Sequence, residues 1–166
     1  MRRLWGCDVR SHARADSVWW RHTRANKFPA HSRGSGLNVK VYLAGPINGQ
    51  RDDECRAWRK HAKSLLESAG HLAVDPMDRD YRGLEDCFFR EIVRSDKNDI
   101  DSCEALLVNA IKPSWGTAME IAYGHSRGKV VVLFCGGAQI SPWLRFHSTE
   151  IVEEVDEAVQ RLVACP

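Results

Sequence analysis

The chain has 166 residues and a formal net charge of +2, enough length for one domain with a sizeable core and hardly for two. The charge is uneven: residues 1–36 hold eight Lys/Arg against two Asp/Glu, and residues 37–166 hold sixteen against twenty. The body therefore gives no electrostatic reason to expect nucleic-acid binding, and with no apolar run of about 18 residues no membrane span is expected.

Residues 1–36 are rich in Arg and His, lack an apolar period and contain no stretch that would serve as a secretory hydrophobic region. They end in Ser32-Arg33-Gly34-Ser35-Gly36, the composition of a flexible linker. A disordered leader is expected here, with a basic arm for an acidic partner or an organelle-targeting leader as the functional alternatives. The domain proper is expected over residues 37–166.

Lys40 to Ala44 is a short apolar run ending at Gly45-Pro46, a buried strand meeting a loop. Asp52-Asp53 opens a helix to about residue 69, with Trp58, Ala62, Leu65, Leu66 and Ala69 on one face and Gly70 as its stop. A second strand is predicted over residues 71–74 and a second helix over about 84–101. A third strand (105–108), a third helix (115–127, stopped by Gly128) and a fourth, strongly apolar strand (130–134) follow. A short strand near 149–152 and a helix over about 153–163 complete the chain.

Apolar strands alternating with helices indicate a parallel sheet covered on both faces, so the predicted fold is a single-domain, doubly wound α/β layer of about five strands, flavodoxin- or Rossmann-like. Ligands bind such sheets beyond the carboxyl ends of the strands, which selects the loops 45–51, 75–83, 109–116 and 135–142. The cysteines at 7, 55, 87, 103, 135 and 165 form no C-x-x-C pair. They suit free thiols in a reducing compartment, and a cytoplasmic protein is expected.

Three segments carry candidate chemistry. In Pro113-Ser114-Trp115-Gly116-Thr117-Ala118-Met119-Glu120, Gly116 and the open amides of a new helix suit an anion, and Ser114 adds a hydroxyl donor. Glu120 lies one turn inside that helix; from spacing alone, a solvent-facing glutamate beside a favourable dipole is the simpler reading. In Arg94 to Asp101, the acids Asp96, Asp99 and Asp101 oppose the helix dipole, a cost that suggests a use. One of them opposite Glu120 would make the acid/base and nucleophile pair of glycosyl chemistry. The loop Gly45-Pro46-Ile47-Asn48-Gly49 is not the dinucleotide-binding G-x-G-x-x-G. Its two glycines suit a close approach to a small ligand or merely a tight turn.

Together these pieces resemble the nucleoside 2-deoxyribosyltransferase family, including its nucleotide N-hydrolase branch. The resemblance runs over about residues 39–163. It is carried by Tyr42 to Ile47, by Asp75-Pro76 with Asp80-Tyr81-Arg82-Gly83, by Asp96 to Ile100, and above all by Pro113 to Glu120 before Gly128-Lys129-Val130. It implies Glu120 as the nucleophile on the anomeric carbon, Asp96 as the acid for the departing base and Tyr42 beside the nucleophile. No metal or cofactor is implied, and a homo-oligomer with sites completed across the interface is.

Family members that use free nucleosides place an acid six positions before the nucleophile, where this chain has Ser114. A serine at a helix N-terminus can donate to a phosphate that a carboxylate would repel. That points to nucleoside 5′-monophosphates, with Ser141 matching a second serine supplied by a neighbouring subunit. Against this, Pro46 and Asn48 occupy positions where mammalian-type nucleotide hydrolases carry a serine and an arginine, leaving Arg82 or Arg145 to supply positive charge. Asp80, Tyr81 and Arg82 lie at the base-binding edge, Trp115 and Trp143 are candidates to stack on a base, and His125 and His147 read as structural. A deoxyribosyltransferase that moves the sugar between bases and a non-catalytic nucleotide-binding module remain the alternatives.

Overall fold

The structure, a computed structural model, describes residues 38–164. The expected leader over 1–36 and two of the cysteines, Cys7 and Cys165, lie outside the described residues.

Five strands form one parallel sheet: β1 (Lys40–Ala44), β2 (Leu72–Val74), β3 (Ala105–Asn109), β4 (Val130–Phe134) and β5 (Glu150–Val152), in the order β2-β1-β3-β4-β5. The order reverses between β1 and β3, which makes the mouth between their following loops the expected ligand crevice. The strands' alternation sorts their side chains onto two faces. Val41, Leu43, Leu107 and Val132 pack under α1 (Asp52–Ser68) and α5 (Val155–Val163) through Ala62, Leu66, Val159 and Leu162. Tyr42, Leu106, Val108 and Val131 face α2 (Glu85–Ser102) and α3 (Trp115–Ser126) through Ile100 and Ile121. The expected doubly wound α/β layer is therefore what the chain forms.

Element boundaries move by a residue or two from the sequence reading, as hydrogen bonds at helix ends decide them. Gly70 and Gly128 stop α1 and α3 at φ +79° and +71°, a conformation that glycine adopts at no steric cost. Two short elements were not anticipated within stretches read as loops. Pro76–Arg79 forms a 3₁₀ turn capped by Asp75, whose side chain accepts from the Met77 amide at 2.9 Å. Pro142–His147 forms α4, capped by Ser141 with Pro142 in the first turn. Both are Asp-Pro or Ser-Pro starts, where proline's fixed φ suits the first turn of a helix. Cys55, Cys103 and Cys135 are buried and Cys87 is exposed, all four as free thiols.

Candidate active site

Tyr42 is central in β1, and its ring lies wholly buried on the α2/α3 face. Its hydroxyl donates to Glu120 Oε1 at 2.8 Å. Glu120 is half-buried in α3, so it is not the solvent-facing glutamate that its spacing by itself suggested. Burial chiefly lifts its carboxyl to about 7; the nearby Asp96 charge adds to this, while the Tyr42 hydrogen bond and the more distant Arg59 cation oppose it. Tyr42 itself is held far above its usual range by burial and then by the charges of Glu120 and Asp96, so it remains a donor.

Asp96 lies on α2 one turn before the buried Ile100 and faces the same centre. Burial raises its carboxyl, and Arg79 opposes that rise. Arg79 reaches in from the 3₁₀ turn, with Nη2 at 3.1 Å from Asp96 Oδ1 and Nη1 on Asp99 Oδ2. Asp96 and Asp99 are thus answered from another element. Asp101, for its part, accepts from Arg127 at 2.7 Å and from Tyr123 at 2.9 Å. Two carboxyls and a phenol at one point, at least one carboxyl raised toward neutrality, can divide the roles of nucleophile and acid.

Ser114 caps α3, accepting from the Thr117 amide at 3.3 Å. That bond uses a lone pair and leaves the hydroxyl proton free to donate. A Cβ on Gly116 would meet nothing within 4 Å among the described residues, which leaves the space over the first turn of α3 open to them. Thr117 is buried, and its hydroxyl has no hydrogen-bond partner among the described residues.

The glycines of the first loop have structural reasons. A Cβ on Gly45 would stand 2.6 Å from Trp58 Cζ2 and 3.1 Å from Asn109 Cβ, so the close approach there is to Trp58. Gly49 takes φ +74° in a turn, Pro46 is buried and Asn48 is exposed. Arg82 pairs with both Asp80 and Asp52, and Arg56 joins them, so Arg82 is no free cation for a phosphate. Arg145 is exposed on α4, as is Ser141 at its cap.

The two tryptophans considered for base stacking lie on the surface of the protomer, Trp115 at 93% and Trp143 at 77% exposure. Trp143 stacks on His147, which meets His125 edge-on at 4.9 Å between ring centres. A cavity of about 370 Å³ opens between Pro46, Glu54, Trp58, Asn109 and Lys112, but Tyr42, Asp96 and Glu120 do not line it.

Two arginines stand out that the sequence reading passed over. Arg59 is 1% exposed on the inner face of α1, where it donates to Cys55 O at 2.8 Å and Gly45 O at 2.9 Å and pairs with Asp75 at 3.2 Å. It ties the loop after β1 to the end of β2. Its signal was a charge at the buried spacing Cys55, Arg59, Ala62, Leu66. Arg79 sits in a turn with no period, and no local signal marks it.

The profile of the nucleoside 2-deoxyribosyltransferase family matches residues 41–155, most of the chain and every residue of this centre. The chain belongs to the nucleoside 2-deoxyribosyltransferase family. As a member it is an enzyme of N-glycosidic bonds, a deoxyribosyltransferase or N-glycosidase of nucleosides or nucleotides. A relative from Thermofilum pendens, provisionally named 2′-deoxynucleoside 5′-phosphate N-hydrolase 1, is 29% identical over 139 residues, 75% of this chain and 92% of its own. Two solved structures share the family fold. The 2-deoxyribosyltransferase of Bacillus psychrosaccharolyticus has a TM-score of 0.62 at 19% identity, covering 73% of this chain and 90% of that one. The 2-desoxiribosyltransferase of Leishmania mexicana has a TM-score of 0.59 at 20% identity, covering 76% and 97%.

Proposed function

We propose that this family member hydrolyses the N-glycosidic bond of a 2′-deoxynucleoside 5′-monophosphate. The observation that carries the substrate class is Ser114, a helix cap with a free hydroxyl proton, at the position where members acting on free nucleosides have an acid. The name of the Thermofilum pendens relative supports the same class.

In this reading a Glu120 oxygen attacks C1′ from the face opposite the base. The C1′–N bond breaks, its electron pair leaves with the base, and Asp96 delivers a proton to the base nitrogen. The glycosyl ester on Glu120 is then opened by water, which gives its proton back to Asp96 as its oxygen bonds to C1′. Tyr42 donates to Glu120 in the resting site and fixes the direction of its carboxylate. Asp96 and Glu120 divide the work because each disfavours the other's ionisation.

The apolar outer side of α2, α3 and α4, with Phe89, Val93, Trp115, Met119, Trp143 and Phe146 exposed, supports association of copies through this side. Ser141, exposed on α4, then serves the phosphate of a neighbouring copy's site. Exchange of the sugar between free nucleosides is the other reading, favoured by the neutralised Arg82, which leaves the exposed Arg145 to supply positive charge to a phosphate.

The experiment is a panel of nucleosides and 5′-monophosphates, ribo and deoxy, with and without a free acceptor base, followed by chromatography with Glu120→Ala as control. Base released from deoxynucleoside monophosphates without acceptor establishes the hydrolase. Product formed only with an acceptor makes the protein a transferase, and equal turnover with and without 5′-phosphate removes the role given to Ser114.

A further inference from the structure

Asp96 and Asp99 stand three residues apart on α2 and project on one side, as that spacing dictates. Arg79 spans them with its two terminal nitrogens, one on Asp96 Oδ1 and the other on Asp99 Oδ2. The arginine is aimed rigidly, because its 3₁₀ turn is capped by Asp75 and anchored by Met77, which is 2% exposed. A guanidinium only donates and keeps its charge at any working pH. The oxygen it faces therefore cannot carry a proton directed at it.

We infer that Arg79, anchored by Asp99, is a positioning residue that commits Asp96 Oδ1 to accepting and leaves Oδ2 as the oxygen that carries the proton for the departing base. This rests on the reading of Asp96 as the acid. Without the clamp, the carboxyl rotates and its proton samples both oxygens. The charged and titratable groups around Asp96 are Arg79 from the 3₁₀ turn, Asp99 from its own helix, Tyr42 from β1 and Glu120 from α3. The Arg79 cation, helped by the Tyr42 hydroxyl, works against burial and the Asp99 carboxylate, which keeps the Asp96 proton transferable.

The test compares two deoxynucleotides with the full-length enzyme: one with an ordinary purine, and one whose purine is methylated at N7. The methylated base already carries a positive charge and leaves without an added proton. Arg79→Gln and Asp99→Asn are each expected to lose about tenfold more turnover on the ordinary purine than on the methylated one, a loss within the range of general acid catalysis. The basic limb of kcat/KM on the ordinary purine moves up in Arg79→Gln, since a cation is gone, and down in Asp99→Asn, since an anion is gone. Equal losses on both substrates, or limbs that stay in place, overturn the proposal and leave Arg79 a structural tie. If circular dichroism shows Arg79→Gln unfolded, Asp99→Asn alone carries the test. Asp96→Asn separates the parent reading: no selectivity there removes Asp96 as the acid, whereas selectivity in Asp96→Asn without it in the Arg79 and Asp99 variants removes only the clamp.

Discussion

The Tyr42 hydroxyl and Glu120 Oε1 stand 2.8 Å apart although 78 residues separate them in the chain, one in the middle of β1 and the other a turn inside α3. The bond favours the ionised carboxylate, while burial disfavours it more strongly and places the Glu120 carboxyl at about 7. The proposed nucleophile has to be ionised, so kcat/KM of the free enzyme is expected to fall as pH drops through about 7. A pH profile on the preferred substrate checks this, and a flat profile between pH 5 and 8 counts against Glu120 as the group titrating.

Tyr42→Phe removes the hydrogen bond that lowers the Glu120 carboxyl. The acidic limb should move to higher pH, and at pH 7 turnover should fall further than at pH 9. A uniform loss at all pH values would show that the hydroxyl acts on the substrate and not on Glu120.

Glu120→Gln should abolish turnover and also stabilise the protein at high pH. The sign follows from linkage: the folded-state carboxyl is raised above its ordinary 4.5, so the wild type loses stability as pH rises from about 4.5 through about 7. A glutamine does not titrate and escapes that loss. Thermal unfolding should give a larger Tm gain for the variant at pH 8 than at pH 5; equal gains would mean that Glu120 is not strained by ionisation.

Arg59 is nearly sealed from solvent and paired with Asp75. Removing one partner of a buried pair leaves the other uncompensated, so Arg59→Leu should cost about 3–5 kcal/mol in chemical denaturation. Arg59→Lys should recover little of this, because one ammonium cannot reach Cys55 O, Gly45 O and Asp75 in the geometry of the fork.

Gly45→Ala and Gly116→Ala make a contrasting pair. The first drives a Cβ to 2.6 Å from the Trp58 ring and should destabilise the fold by about 1–3 kcal/mol. The second meets open space in a helix and should leave stability unchanged or raised by up to ~1 kcal/mol. If Gly116→Ala raises KM for the monophosphate while the fold holds, the space above that turn belongs to the ligand.

Ser114→Asp keeps a good helix cap while placing a negative charge beside the proposed phosphate. Preference should shift from monophosphate toward free nucleoside, by about tenfold or more on loss of a charge-assisted hydrogen bond. A preference that stays where it is would place the phosphate elsewhere.

Local pattern by itself determined the order of strands and helices, the parallel sheet and the block from Ser114 to Glu120, because apolar period and turn chemistry are written in neighbouring residues. The same pattern favoured solvent for Glu120, and the hydrogen bond from the buried Tyr42 is what shows it turned inward. Gly45 looked like an approach to a ligand, and packing showed the approach to be to Trp58. Arg82 looked like a spare cation until Asp52 and Asp80 were found around it. Arg59 and Arg79 left almost no trace in the pattern, since what fixes them is partners supplied by other elements: a backbone carbonyl 14 residues away for Arg59, and for Arg79 two carboxylates 17 and 20 residues away. Periodicity records which face of an element is buried; the charge partners that face will meet are set only when the sheet brings the elements together.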